Sequence, residues 1–197
     1  MEKVIVNDEN IKYVIRYKYN QNNKVIDVSD LDTSKCTNFE SLFYYMTNLE
    51  EIRGFNMLNL SNVKDMSYMC GGCYSLKSLD LSGLNLFNVA NMSAMCTDCH
   101  ALKELDLSGL DLSKVNKMSS MCNCCYSLKE LNLSGLNLSN VNEMSYICGG
   151  CYSLVNFKVD EQYYNKFKDI IDEVLAQRDN LLSIDLDKLK IPQHEEE

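Results

Sequence analysis

Along most of the chain apolar residues return in two alternating rhythms. Val63, Met66, Met69, Cys70 and Cys73 fall at i, i+3, i+6, i+7 and i+10. This spacing predicts one face of a short helix, with Ser61 or Asn62 as its cap. Leu79 and Leu81 then alternate with Ser78, Asp80 and Ser82, which predicts a strand with one buried face. Gly83, Gly109 and Gly135 recur just after that strand, where a turn needing positive φ or close packing suits glycine. Leu84 and Leu86 lead back toward the next helix. The phrase N-V-x-x-M-S-x-M-C-x-x-C-Y-S-L-K-x-L-D-L-S-G-L-N-L-S reopens every 26 residues, at Asn62, Asn88, Lys114 and Asn140. Full copies span 62–87, 88–113 and 114–139, and a shorter one spans 140–160. A degenerate copy precedes them, its unit spanning 31–61. In it Cys36, Phe39, Leu42, Phe43, Met46, Leu49 and Ile52 take the places of Val63, Met66, Met69, Cys70, Cys73, Leu76 and Leu79, one residue being added.

One helix and one strand cannot bury their own core, whereas stacked copies bury a continuous one. The predicted fold is an α/β leucine-rich-repeat solenoid, with a parallel sheet on one face and short helices on the other. Strands sit ~4.8 Å apart and packed helices ~8–10 Å apart, a mismatch that predicts a bent stack with the strands inside. Residues 1–30 are expected to form a β-rich cap from Lys3–Val6, Ile11–Tyr19 and Lys24–Val28. Residues 161–191 are expected to close the other end with a helix (Tyr164, Phe167, Ile170, Ile171, Val174 and Leu175 at helical spacing) and a strand (Leu182, Ile184, Leu186). A disordered tail is expected over 192–197.

The 197 residues carry a net charge of −9. That speaks against direct nucleic-acid or anionic-membrane binding, which needs clustered Lys and Arg, and suits a basic protein partner. No apolar leader or membrane-length run is visible, so the expectation is a cytoplasmic protein. Its ten cysteines should then be thiols or metal ligands rather than disulfides.

The repeat resembles the BspA-like leucine-rich-repeat family. The resemblance is carried by N-V-x-x-M-S-x-M, the cysteine that follows, and S-L-K-x-L-D-L-S, over about residues 31–160. It implies a solenoid with a parallel sheet and a role in recognition, often on bacterial or protozoan surfaces. Family repeats usually carry an aromatic where Cys70, Cys96, Cys122 and Cys148 stand here.

Four C-x-x-C pairs, Cys70/Cys73, Cys96/Cys99, Cys122/Cys125 and Cys148/Cys151, raise the alternative of a zinc- or redox-active protein. The expectation is instead a core stripe without metal. The cysteines share the periodicity of the methionines, and the degenerate copy has Phe43 and Met46 at the paired positions. Helices ~8–10 Å apart would also be too distant for disulfides between copies. Cys124 lies off the stripe and is a candidate exposed thiol. No catalytic motif and no cofactor fingerprint appears, which predicts a non-enzyme. His100 stands in a column otherwise held by Tyr74, Tyr126 and Tyr152 and is expected to be a variant repeat residue rather than a base.

Two surfaces are candidate partner sites. The solvent side of the strands should align Glu51, Ser78, Glu104, Glu130 and Asn156 in one column, and Arg53, Asp80, Asp106, Asn132 and Lys158 in the next. Asp80, Glu104, Asp106, Glu130 and Asn132 form its middle, against which a basic protein surface would dock. Tyr74, His100, Tyr126 and Tyr152 form an aromatic edge suited to anchoring a protein, or to stacking on itself. The expected function is non-catalytic protein binding, in its sharpest form as an acidic inhibitor in the nucleic-acid groove of a nuclease, such as a phage-type anti-CRISPR protein. The alternative is a surface adhesin. Pairing of end strands would give a homodimer.

Overall fold

A computed structural model of the chain describes residues 3–18 and 22–178. The repeats wind into a parallel solenoid of the leucine-rich-repeat kind, with the leucine, methionine and cysteine stripes inside. Val63, Met66, Met69, Cys70, Cys73, Leu76, Leu79 and Leu81 are all buried, as are their counterparts one and two copies on.

One face is the predicted strand ladder. β1 (Val4–Asn7), β2 (Val25–Asp27), β3 (Leu31–Lys35) and β4 (Glu51–Arg53) precede β5 (Glu104–Asp106), β6 (Glu130–Asn132) and β7 (Asn156–Lys158). β2 pairs with β4, and β5, β6 and β7 pair in order, all parallel. The register sets Leu105 on Leu131 on Phe157, which turns Glu104, Glu130 and Asn156 to solvent in one column as the alternation predicts. Counting β2 and the Ser78–Asp80 segment, this face has a rung in every unit and one more from the amino-terminal cap.

The opposite face departs from expectation, because the repeats contain no α-helix. Each M-S-x-M-C-x-x-C segment is a run of tight turns. Met69, Gly71 and Cys73 donate their N–H groups to carbonyls three residues back. The residues between them, Met66, Tyr68, Cys70 and Gly72, donate to Asn91, Ser93, Met95 and Thr97 of the next copy, at 2.8–3.0 Å. Isolated parallel bridges mark the same ladder through Asn38, Asp65, Asn91, Lys117 and Glu143. A three-residue apolar period fits i→i+3 turns as well as a helical face. Stacking separates them: a helix ~10–12 Å across follows strands ~4.8 Å apart only in a bent stack, whereas a coil hydrogen-bonded on both faces matches the strand spacing directly. The spacing mismatch that predicted bending is therefore absent.

This path has a backbone signature. Tyr68 and Gly72, Ala94 and Asp98, Ser120 and Cys124, and Tyr146 and Gly150 all have φ between 53° and 73°. Only some of these positions hold glycine, so the coil-to-coil bonds hold ordinary residues in the left-handed region, which costs each about 1–2 kcal/mol.

The ends are capped. Ile11–Tyr19, expected as a strand, holds the helix α1 (Ile11–Lys18). Asn7 and Asn10 exchange side-chain bonds at its start, and Ile11 and Ile15, one turn apart, are buried. The β-branched residues suggested extension, but the Asx cap and the i, i+4 pair favour the helix. The Asp8 carboxylate accepts from the N–H groups of Thr37 and Asn38 and from the Thr37 hydroxyl, standing in for a preceding coil. At the other end a short 3-10 turn, Glu161–Tyr163, leads into α2 (Tyr164–Arg178). Phe167 is buried against Phe157, and Lys166 donates to the carbonyls of Leu138 and Ser139. The expected last strand (Leu182, Ile184, Leu186) and tail lie outside the described residues.

Candidate functional site

The strand face is built from turn chemistry. Asp80, Asp106 and Asn132 each follow a buried leucine and accept the N–H of the serine two residues on, Ser82, Ser108 and Ser134, at 2.9–3.1 Å. These Asx turns feed into Gly83, Gly109 and Gly135 at φ 70–78°. The acidic column is thus also structural. Hydrogen bonds from Ser82 hold the Asp80 carboxyl below the usual carboxylate range.

The candidate residues differ in what they offer a partner. Asp80 also accepts from Asn56 Nδ2 at 2.7 Å. Glu130 is tied to Lys158 Nζ at 2.5 Å and Asn156 Nδ2 at 3.0 Å. Asn132 is only 9% exposed, its side chain committed to Ser134. Glu104 and Asp106 are exposed, and Glu104 has no ion-pair or hydrogen-bond partner among the described residues. Lys77, which precedes Ser78 on this face, turns to Glu50, which also holds Lys24.

Sequence periodicity did not reveal a break in the ladder. Ser78–Asp80 makes no strand pairing with Glu104–Asp106. A groove of about 420 Å³ opens there, lined by Ser78, Asp80, Ser82, Glu104, Asp106 and Glu130, with Leu79, Leu105 and Leu110 at its floor.

The aromatic edge is a stacked column. His100 lies between Tyr74 (4.7 Å, 3° between planes) and Tyr126 (4.5 Å, 16°), and Tyr152 follows at 5.9 Å and 13°. Tyr45 abuts the other end edge-on at 6.0 Å. The rings cover each other's faces and show their edges to solvent, while Tyr152 at the end is 57% exposed. His100 Nε2 lies 3.8 Å from Asp98.

The cysteines form an internal ladder. The thiol of each second cysteine donates to a carbonyl of the preceding coil: Cys73 to Phe43, Cys99 to Cys70, Cys125 to Cys96 and Cys151 to Cys122, at 3.0–3.2 Å. Hydrogen bonds with neighbouring thiols, then burial, push Cys70, Cys99, Cys125 and Cys151 up. The adjacent Cys99 and Cys125 side chains favour the thiolates of Cys96 and Cys122, but burial and other nearby thiols outweigh this and raise both. The distance argument against disulfides fails, because coils joined by direct backbone bonds lie closer than packed helices. The core placement rests on the shared stripe. No cluster of three or more His, Cys, Asp or Glu suited to a metal occurs among the described residues. Cys124 is half-buried beside Asn123 and Tyr126.

The family described as "Mycoplasma protein of unknown function, DUF285" matches residues 10–131 and 39–163, together well over half of the chain. The chain belongs to that family. A search of curated proteins finds no match. Among solved structures, a leucine-rich repeat protein from Bacteroides ovatus is similar at 17% identity and a TM-score of 0.37, over 68% of this chain and 40% of that one. The chain thus spans less than half the length of that protein.

Proposed function

We propose that this member of the DUF285 family is a non-catalytic protein-binding module whose strand face receives a basic segment of its partner. The observation carrying the proposal is the groove at Ser78–Asp80, where the ladder lapses and the unpaired Glu104 carboxylate stands beside Asp80 and Asp106 over a leucine floor. Such a groove offers a lysine or arginine side chain a charge to meet and an apolar surface for its stem. A repeat solenoid generally serves protein recognition, and the net charge of −9 would steer a cationic partner. The sharper form, occupation of a nuclease's nucleic-acid groove, follows the same charge logic. The reading has the protein working in the cytoplasm, supported by thiols that act as hydrogen-bond donors in the core.

The test is binding of a fluorescein-labelled Lys/Arg-rich peptide, with partner capture from native lysate alongside. Affinity should fall with rising salt. Glu104→Lys with Asp106→Lys should weaken binding by about 1–3 kcal/mol, while Glu143→Lys on the opposite face leaves it unchanged. Binding that ignores salt and both reversals refutes the proposal.

A further inference from the structure

The outer ladder is directional, and it is incomplete at both ends. In each inner coil the N–H groups of alternate residues point forward to carbonyls of the next coil. The fourth copy shows this with Met118 to Glu143, Ser120 to Ser145 and Cys124 to Gly149, at 2.6–2.8 Å. In the last coil the equivalent donors are Met144, Tyr146 and Gly150, and none has an acceptor among the described residues. In the first coil the equivalent acceptors are the carbonyls of Asn38, Glu40 and Tyr44, and none has a donor among the described residues. Among the described residues one end thus presents donors at Met144, Tyr146 and Gly150 and the other acceptors at Asn38, Glu40 and Tyr44, at matching intervals and in the register the bridges define.

Both rows lie open. The column that holds Ser67, 6% exposed in an inner coil, ends in exposed Ser145, beside Tyr146 at 63%. Glu40 and Tyr44 are exposed at the other end. The carboxy-terminal cap is fastened to another side, Lys166 on the Leu138 and Ser139 carbonyls and Tyr163 on Asn137. Asp8 takes the N–H groups of Thr37 and Asn38 and does not reach the carbonyls of that row.

We propose that a second copy of this chain docks head to tail, its first coil continuing the outer ladder of the last. The donor row meets the acceptor row only in this order, because two like ends would set donors against donors. The contact is heterologous, so association is open-ended unless its rotation closes. It uses only the outer margin, so it is weak and concentration-dependent. Column equivalence sets Ser145 of one copy beside Glu40 of the next.

Sedimentation velocity of the full chain over a concentration series tests this. The wild type should sediment faster as concentration rises. Ser145→Glu places like charges opposite each other and should weaken association about fivefold. Adding Glu40→Lys to the same chain should restore it, although the two positions lie at opposite ends of one molecule. Circular dichroism confirms that each variant is folded. A wild type that stays monomeric throughout overturns the proposal, as does a Ser145→Glu chain that associates normally or a double variant that is not rescued.

Discussion

Raising the pH should unfold this protein abruptly, through thiols that alkali cannot reach in the native state. Six repeat cysteines, Cys70, Cys96, Cys99, Cys122, Cys125 and Cys151, are buried with their pKa values raised above the ordinary 9.0. Below about pH 8 both states keep these protons and the thiols add almost no pH dependence. Above it the unfolded chain loses protons that the folded chain retains, so stability falls as pH rises. With an unfolded value of 9.0, a thiol that keeps its proton in the folded state draws about 0.4 kcal/mol toward unfolding at pH 9 and about 1.4 kcal/mol at pH 10. Cys70, Cys99, Cys125 and Cys151, raised furthest, together amount to about 1–2 kcal/mol at pH 9 and about 5–6 kcal/mol at pH 10. The latter is a large part of the stability of an ordinary domain, and Cys96 and Cys122 act in the same direction. The assay is the urea midpoint by circular dichroism from pH 7 to 10 under reductant, with thiolate absorbance followed in parallel. The midpoint should hold nearly constant to about pH 8 and then collapse, thiolate appearing together with loss of structure. A midpoint that is flat to pH 10, or thiolate that forms before unfolding, refutes the buried ladder.

Three further outcomes follow from the same structure. Cys99→Ser keeps a donor for the Cys70 carbonyl and should cost about 1 kcal/mol, whereas Cys96→Ser buries a hydroxyl with no carbonyl partner and should cost about 2–3 kcal/mol, a difference readable in urea melts. At pH 8 a maleimide should label Cys124 rapidly in the native protein and the stripe cysteines only after unfolding, as mass spectrometry would show. Glu50, held down to about 2 by hydrogen bonds from Lys24 and Lys77, should titrate near there by carbon NMR. Its contribution is present above the ordinary carboxylate range and lost as pH falls toward 2, and Lys77→Ala should move the midpoint upward.

The inward stripe and the strand columns were legible in the sequence because they depend only on period. Leu79, Leu105 and Leu131 alternate with polar residues, and that fixes which side chains face water. The conformation between Val63 and Cys73 was not legible. A three-residue spacing suits a helix and a chain of turns alike, and Ala94 or Ser120 gives no hint of a positive φ. That conformation is imposed by the neighbouring coil, a constraint visible only when copies are set at strand spacing. Ile11 and Ile15 carried a helical signal, which the β-branched residues around them masked. Of the candidate site, the charges of Asp80, Glu104, Asp106 and Glu130 could be placed from the repeat. Their division could not: Asn56 takes Asp80, Lys158 takes Glu130, Asn132 is withdrawn into its turn, and Glu104 has no partner among the described residues. Those contacts join residues about one unit apart, and rotamers rather than period decide them.

The asparagines that open the repeats bear on how such a chain changes length. Asn62, Asn88 and Asn140 each donate a side-chain bond to a carbonyl of the coil before, on Ser34, Ser61 and Ser113. Three of the four regular units therefore bring their own clasp for the predecessor, while Lys114 opens the other and reaches Asn88 Oδ1 of the coil before it; none asks anything of units farther away. A gene duplication or deletion of one whole unit would leave all remaining clasps closed and the helical ends seated, while the tyrosine edge and the acidic face grew or shrank by one step. Copy number, rather than point substitution, is then the least disruptive way for evolution to adjust the reach of this surface.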